Sequence, residues 1–446
     1  MTETATVDKQ APSADQPIKI PPALGAPKVV QGLAFASFRR LMLTKAYQRN
    51  GRVIELNLPF FGRTVLVSDP GLIRTVFMAS TDDLTNVKPN LSRLFGPGSV
   101  FALDRGEHRA RRKLLAPPFN GQSIKNYEKV IEEETLRESA NWPQGKEFRT
   151  LEPMNRITLN VILRTVFGAD GVELDYLREI VPPFAKLGSR LATLPEPPLR
   201  PKRFGPWARM DEFRRNFDRT VFTLIDKAEA DPRFDDRTDI LALMMRSRYE
   251  DGSAMSRQDI ADELLTLVGA GHETTASTLG WAFERLRRHP DIMAKLVEEV
   301  DADGSELRQA TILEIQRART VIDFAGRNVA APSFQLGEWN LPKGHNIVIS
   351  LADLHQNPEL FPDPNRFDPY RFVGNRPPAF AWVPFGGGTR RCLGAAFANT
   401  EMDVVLRTIL RHFVIETDDA RDEKLHFRGI AYTPKDGGRV VMHRRT

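Results

Sequence analysis

Residues 385–394 read FGGGTRRCLG and contain Cys392, the only cysteine of the chain. A single thiol cannot form an internal disulfide or a zinc site that needs several cysteines, but it can serve as one axial metal ligand. The neighbouring glycines allow backbone N–H groups to approach the sulfur. Because a helical pattern begins just after Cys392, we expect its pKa to be depressed. A buried structural cysteine is the alternative that the residue type alone favours.

Length and composition are those of a globular protein. The chain has 446 residues, enough for one large domain or two to three ordinary ones, with a hydrophobic share of 41% and a charged share of 27%. A net charge of +5 does not indicate nucleic-acid binding. A single cysteine favours a reducing compartment, so we expect a cytoplasmic location. Since no run of 18 apolar residues occurs, no membrane span is expected.

The pattern of polar and apolar residues predicts the main elements. Residues 1–30 are expected to form a disordered tail, and 31–446 a single domain. A long helix is predicted from Ser256 to His289, opened by Ser256 with Asp259 and ended by Pro290. The other predictions are a hairpin over 52–68, a helix over 70–77, a basic helix over 106–115, strands between 327 and 350, an irregular stretch over 358–384 and a closing helix over 395–413. Proline-rich residues 195–206 are typical of a lid.

Residues 269–275 read GAGHETT and lie in the middle of the long predicted helix. Two glycines there cost roughly 1 kcal/mol each relative to alanine, so we expect small residues to let a flat cofactor lie against the helix. Thr274 could hydrogen-bond back to a carbonyl, and Glu273 followed by Thr274 could pass protons inward. The plain alternative is a glycine-weakened helix with a solvated Glu273. A zinc site at His272-Glu273 is excluded, because residue 276 is alanine where a second histidine is required.

The pattern Phe-x-x-Gly-x-Arg-x-Cys-x-Gly fixes five positions, and a chance match has odds on the order of one in ten thousand. This stretch resembles the haem-binding loop of the cytochrome P450 family, and residues 269–275 resemble its oxygen-activation motif. The resemblance implies that Cys392 is the axial iron ligand, that Thr274 hydrogen-bonds the bound dioxygen and that Glu273 helps to deliver protons. The residues expected to contact the haem on these two segments are Phe385, Gly386, Arg390, Ala270 and Gly271.

Three further residues match a structural cluster of the same family. Glu314 and Arg317 are spaced to share one helix face, and residues 367–372 read FDPYRF, which makes Arg371 the expected third partner. A buried cluster of this kind would hold the loop that leads to Cys392. An ordinary surface pair is the alternative. The family would also have a proline near Thr320, and there is none, which leaves the path into the next strand open.

The resemblance extends from about residue 35 to the C-terminus. His108 and Arg112, four residues apart, would bind a haem propionate, and Arg327 would bind a further one. The expected fold class is mainly α (α+β), the cytochrome P450 fold, with a helix-rich lobe and a smaller β-rich lobe around one buried haem b (iron protoporphyrin IX). His355 has no assigned role.

The implied activity is insertion of one oxygen atom of O2 into a hydrophobic small molecule such as a fatty acid, sterol or terpenoid. Electrons would come from a ferredoxin and an NAD(P)H-dependent ferredoxin reductase, and the protein is expected to be a monomer without nucleic-acid partners. A peroxide-using or rearranging haem-thiolate enzyme and a non-enzymatic haem or lipid sensor are alternatives. A basic patch that could dock an acidic ferredoxin is expected from Arg390, Arg391, Arg111, Lys113, Arg407 and Arg411.

Overall fold

The computed structural model describes residues 17–88, 91–119, 121–168, 171–192 and 204–445. Most of the predicted lid and the first part of the predicted tail therefore lie outside the described residues. The rest of that tail includes backbone that pairs with strand residues, since the N–H of Leu24 donates to the carbonyl of Glu55 and the N–H of Glu55 donates to the carbonyl of Pro22. None of the described helices is long and apolar enough to cross a membrane.

The described elements alternate long helices with short strands. The helices are α1 (Lys28–Asn50), α2 (Pro70–Met78), α3 (Ser92–Phe95), α4 (Arg105–Leu115), α5 (Gly121–Ser139), α6 (Leu151–Phe167), α7 (Val172–Leu191), α8 (Pro206–Glu229), α9 (Ile240–Arg246), α10 (Arg257–Arg287), α11 (Pro290–Asp301), α12 (Glu306–Ala318), α13 (Leu351–His355) and α14 (Ala395–His412). The strands are β1 (Val53–Leu58), β2 (Gly62–Val67), β3 (Leu84–Thr85), β4 (Phe148–Arg149), β5 (Phe324–Val329), β6 (Ser333–Leu336), β7 (Trp339–Pro342), β8 (Asn346–Ser350), β9 (Phe413–Ile415), β10 (Leu425–Phe427), β11 (Tyr432–Pro434), β12 (Arg439–Val440) and β13 (Met442–Arg444).

The chain divides into two compact units. The sheet unit combines Met1–Lys88 with Phe324–Leu354, and the helical unit combines Pro89–Asp323 with His355–Thr446. The predicted mixture of a helix-rich part and a smaller β-rich part is therefore present.

The sheet unit is built on a five-stranded sheet in the order β1-β2-β8-β5-β3. The predicted first hairpin is confirmed, with Val53 paired to Val67 and Leu58 to Gly62. Gly62 has φ of +70°, which the turn requires and which glycine adopts without strain. β6 and β7 form the second predicted hairpin. Helix α1, which the sequence patterns did not predict, packs on β1 through a core that includes Leu43.

The helical unit surrounds α10, which spans almost the whole predicted length. Ser256 caps it as expected, because its hydroxyl accepts the N–H of Asp259 at 3.0 Å. The buried face of α10 packs mainly on α6, and α14 packs on α5. One continuous apolar core joins these helices, with Trp281 and Phe283 fully buried. This packing fixes the middle of α10, where residues 269–275 lie, and the start of α14, which follows Cys392.

Candidate active site

The loop that carries Cys392 is closed by its own backbone. The N–H of Cys392 donates to the carbonyl of Phe385 at 2.9 Å, and the N–H of Gly386 donates to the carbonyl of Val383 at 2.9 Å. Gly386 and Gly388 have φ of +64° and +65°, a conformation that other residues adopt only with strain. The glycines are therefore needed for the turn that places Cys392 just before α14.

The thiol of Cys392 lies on an open face of this loop. Its side chain is exposed, and a Cβ added to Gly386 or Gly394 would meet no atom within 4 Å. Burial nevertheless raises the pKa of the Cys392 thiol, more than the N–H of Gly394 and the nearby Arg112 and Arg391 lower it. One side of the thiol is open, but the protein atoms on its other sides desolvate the thiolate and so raise the pKa.

The depressed pKa that the sequence predicted for Cys392 is therefore wrong. Desolvation outweighs the helix terminus and the two arginines. A metal that binds the sulfur must displace its proton, because the thiolate is the metal ligand. Loading of the site is expected to release one proton per Cys392.

Arg112 on α4 provides a cation beside Cys392. Burial lowers the pKa of Arg112, and the charged groups that act on it are Cys392, which raises this pKa, and Arg391, which lowers it. His108 lies one turn earlier on the same helix and is buried. A partly buried guanidinium next to a thiol and a second guanidinium suits a ligand with anionic groups. The residues around Cys392 thus fit a flat, anionic, metal-centred cofactor.

Arg390 has other partners than the sequence predicted. Its guanidinium donates to the carbonyl of Leu103 at 2.7 Å and pairs with the carboxylate of Asp104, while burial lowers its pKa. These bonds tie the Cys392 loop to the segment before α4. A contact from Arg390 to a cofactor stays a prediction.

Two members of the predicted basic patch are largely buried, since the side chain of Arg390 is only 9% exposed and Arg111 is enclosed as well. Arg111 is 4% exposed and pairs with Glu263 at 3.0 Å and with the hydroxyl of Tyr249 at 2.7 Å. It therefore stabilises the contact between α4 and α10 and is not available at the surface. Two further members have acidic partners, because the exposed Lys113 pairs with Glu250 and the half-buried Arg411 pairs with Asp303.

The side chains of Glu273 and Thr274 on α10 have different hydrogen-bond partners. The hydroxyl of Thr274 donates to the carbonyl of Ala270 at 3.0 Å, as the sequence predicted. The carboxylate of Glu273 accepts the hydroxyl of Ser189 on α7 at 2.8 Å and lies 3.9 Å from the guanidinium of Arg428. Glu273 therefore points to the α7 side, and its contacts with Ser189 and Arg428 had no signal in the sequence.

The two glycines of this segment have packing partners within the protein. A Cβ on Gly269 would come within 2.6 Å of the ring of Phe95, and one on Gly271 would touch Ile162 of α6 at 3.5 Å. The expectation that both glycines serve a flat cofactor is thus incomplete, because Gly269 is required for the packing of Phe95. The cofactor contacts of Ala270 and Gly271 stay predictions.

Glu314, Arg317 and Arg371 come together as one buried cluster. Arg317 donates twice to Glu314, at 2.7 Å each, and Nε of Arg371 lies 3.5 Å from the same carboxylate. The N–H of Asp368 also donates to Glu314, at 2.9 Å. Arg317 further donates to the carbonyl of Pro364, at 2.9 Å. The cluster therefore fastens the irregular stretch over 355–372 to α12.

His355 links the end of α12 to the loop that carries Cys392 through two hydrogen bonds. Its Nε2 accepts the N–H of Val383 at 3.1 Å, so the proton lies on Nδ1, which donates to the hydroxyl of Thr320 at 2.9 Å. Burial and the charge of Arg317 lower the pKa of His355 to about 3. A neutral His355 thus connects the end of α12 to Val383, two residues before Phe385. A lone histidine gave no sequence signal for this role.

Arg327 belongs to the sheet unit. Its guanidinium donates to the carbonyl of Gly326 at 2.8 Å and lies over the ring of Phe77, 5.7 Å from the ring centre. Its assignment to a haem propionate stays a prediction.

Glu401 on α14 is a buried carboxyl, and no ion pair joins it to a cation of the described residues. Burial raises its pKa well above the ordinary value of 4.5, and its Oε1 accepts no hydrogen bond from the described residues. The folded protein therefore keeps the proton at pH values where the unfolded chain loses it. Between the two pKa values, each pH unit lowers the free energy of unfolding by about 1.4 kcal/mol.

We expect Glu401→Gln to be more stable than the parent protein at pH 7 to 8, with the difference vanishing near pH 4, where both forms are neutral. Urea unfolding across this pH range measures it. Glu298→Gln, which removes an exposed carboxylate, is the matched control and should show no such trend. A difference for Glu401→Gln that does not grow with pH would contradict the assignment of a neutral, buried Glu401.

Comparisons with known proteins agree with this geometry. The family model for Cytochrome P450 matches residues 22–440. Cytochrome P450 138 of Mycobacterium tuberculosis is 62% identical over 428 residues, which cover 96% of this chain and 97% of that protein. Cytochrome P450 135B1 of the same species is 37% identical over 431 residues, covering 94% and 91%. The structure of cyanobacterial CYP120A1 with retinoic acid bound matches with a TM-score of 0.85 at 24% identity, covers 96% of this chain and 100% of that one, and so supports the fold.

Proposed function

The chain belongs to the cytochrome P450 family and is a haem-thiolate monooxygenase, and we propose that it inserts one oxygen atom of O2 into a C–H bond of a hydrophobic small molecule. The substrate gains a hydroxyl group, and the second oxygen atom leaves as water. Two electrons and two protons are consumed in each cycle. The electrons come from a ferredoxin that an NAD(P)H-dependent reductase reduces.

The haem, when bound, supplies the iron at which O2 is reduced and activated, and a cysteine ligand donates electron density that favours O–O cleavage. Cys392 holds the iron in this proposal. Arg112 and His108 bind the propionates, since Arg112 is a partly buried cation beside the thiol. The cluster of Glu314, Arg317 and Arg371 fixes the backbone that leads to Cys392.

Glu273 and Thr274 move protons to the reaction. Glu273 is partly buried, and its carboxylate can exchange a proton at Oε2, where it now accepts the hydroxyl of Ser189. The Thr274 hydroxyl donates to Ala270 and keeps lone pairs that can accept a hydrogen bond. A carboxylate followed directly by a hydroxyl on the same helix offers the two groups that proton transfer needs.

A hydrophobic substrate is supported by the segment that packs against α10 beside these residues. Phe95 lies against Gly269, and the rings of Phe95 and Phe101 are 5.8 Å apart. Leu94 in the same segment is buried. These apolar side chains beside α10 favour molecules like fatty acids, sterols or terpenoids, because burial of apolar surface contributes about 25 cal/mol per Å².

The discriminating experiment compares Thr274→Ala with Thr275→Ala. Thr275 makes the same type of bond, from its hydroxyl to the carbonyl of Gly271 at 3.2 Å, but it is buried at 3% exposure. With ferredoxin, reductase and a ligand that shifts the haem spectrum, we expect Thr274→Ala to consume NADPH while product yield falls several-fold and peroxide rises. Thr275→Ala should stay coupled.

Three results would contradict the proposal. Equal product yields in the two threonine variants would show that Thr274 has no specific role in proton delivery. Product formation with peroxide but never with NADPH and O2 would indicate a peroxide-using enzyme. Spectral binding of ligands without any turnover would indicate a sensor.

A further inference from the structure

Helix α1 is kinked at Phe38, where the backbone is not helical (φ −136°, ψ 31°), and it exposes large apolar side chains on both sides of the kink. Its inner face is fixed by Gln31, whose side-chain amide donates to the carbonyls of Leu24 and Ala26 and accepts the N–H of Asn57. Five large apolar side chains of α1 remain outside: Val29 (66% exposed), Val30 (52%), Leu33 (64%), Phe38 (68%) and Leu41 (56%). Such a concentration on one helix indicates a contact surface, because scattered single exposures are normal and clusters are not.

The same helix is strongly basic. Its sequence, KVVQGLAFASFRRLMLTKAYQRN, contains five lysines and arginines and no aspartate or glutamate. Lys28, Lys45 and Arg49 are exposed. Arg39 is oriented over the rings of Phe35 and Phe324. A helix that combines exposed apolar residues with basic side chains and no acidic ones is typical of segments that lie on membrane surfaces.

Two other occupants fit this face less well. The chain that precedes the described residues, 1–16, reads MTETATVDKQAPSADQ and offers only Met1 and Val7 as large apolar side chains. A second copy of the chain would bring two helices of like charge together, which costs electrostatic energy. Anionic lipid headgroups complement the lysines, and acyl chains complement the apolar residues.

We propose that the outer face of α1 is a peripheral binding surface for anionic lipid membranes. The helix lies in the plane of the interface, with Val29, Val30, Leu33 and Leu41 toward the acyl chains and the basic side chains at the headgroups. This placement brings the enzyme to the phase in which hydrophobic molecules concentrate, but the lipid contact itself does not depend on the proposed monooxygenase reaction.

Vesicle co-sedimentation of the full-length holoprotein tests the proposal. We expect binding to vesicles of phosphatidylglycerol and phosphatidylcholine, and little binding to phosphatidylcholine alone. Leu33→Asp/Phe38→Asp should lower the bound fraction about tenfold or more. Lys28→Glu/Lys45→Glu, which leaves the apolar residues in place, should also lower it, and salt at roughly 0.5 M should weaken binding of the parent. Val172→Asp, at an exposed apolar residue of α7 (75% exposed), is the matched control.

Each outcome of the vesicle experiment either supports or overturns the proposed lipid-binding surface. Loss of binding in both α1 variants but not in Val172→Asp supports the surface, with thermal unfolding confirming that all variants are folded. Absence of binding to anionic vesicles overturns it, as does equal binding to both lipid compositions. Light scattering that shows a dimer which Leu33→Asp/Phe38→Asp dissociates would assign the face to a second copy instead.

Discussion

Replacing Cys392 with serine is expected to abolish ferredoxin-driven product formation while leaving the fold of the protein intact. The serine hydroxyl is not ionised at neutral pH and cannot supply the thiolate that favours O–O cleavage. The side chain of Cys392 is exposed, and its loop is closed by the backbone bond from Cys392 to Phe385. Unfolding of the haem-free variant should therefore remain within about 0.5 kcal/mol of the haem-free parent.

Product formation is measured with a ligand that shifts the haem spectrum. The free energy of unfolding is measured by urea unfolding of the haem-free proteins. Thr389→Ala is the matched control, because Thr389 is exposed in the same loop. It should keep both turnover and stability. Normal turnover by Cys392→Ser would show that Cys392 is not the iron ligand. A large loss of stability would show that its role is structural.

Replacing Arg317 with alanine is expected to lower the free energy of unfolding by about 3–5 kcal/mol. Arg317 and Glu314 are both 0% exposed, so the change leaves a buried carboxylate with the N–H of Asp368 and with Arg371, 3.5 Å away, in place of its closest cation. It also removes the donors to the carbonyls of His355 and Pro364. Because these bonds fasten the stretch that leads to Cys392, haem content should fall as well.

Arg366→Ala provides the comparison within the same stretch. The side chain of Arg366 is 66% exposed and pairs with Asp368, so its loss should cost no more than about 1 kcal/mol. Denaturant unfolding and the haem-to-protein ratio measure both variants. If Arg317→Ala does not fold at all, Glu314→Gln keeps the shape of the cluster and should still be clearly destabilised. Equal, small effects of Arg317→Ala and Arg366→Ala would show that the cluster does not fasten the loop.

Local chemistry was the part of this site that the sequence predicted well. The turn around Cys392 depends on glycines at fixed positions, and the cap of α10 depends on Ser256, so both follow from short-range rules. The first hairpin and α10 follow from periodicity. The motif segments identified Glu314, Arg317 and Arg371 as one cluster because their sequence patterns are specific.

Long-range burial was the part that the sequence did not predict. The pKa of Cys392 is raised because the surrounding protein atoms desolvate its thiolate. Arg111 is buried because it forms an ion pair with Glu263 of α10. Gly269 packs against the ring of Phe95, which is distant in sequence. His355 hydrogen-bonds to Thr320 and to the backbone of Val383, which are also distant in sequence. Helix α1 was not predicted because its apolar residues follow no clear helical period and its backbone is kinked at Phe38.

The absorption spectrum of the reduced, carbon monoxide-bound holoprotein tests the central claim most directly, namely that the thiolate of Cys392 is the axial ligand of a haem iron. The account predicts the red-shifted Soret band of a thiolate-ligated haem in the parent protein and in Thr389→Ala, and its loss in Cys392→Ser. A parent protein that binds haem but lacks this band, or a Cys392→Ser variant that keeps it, would contradict the account.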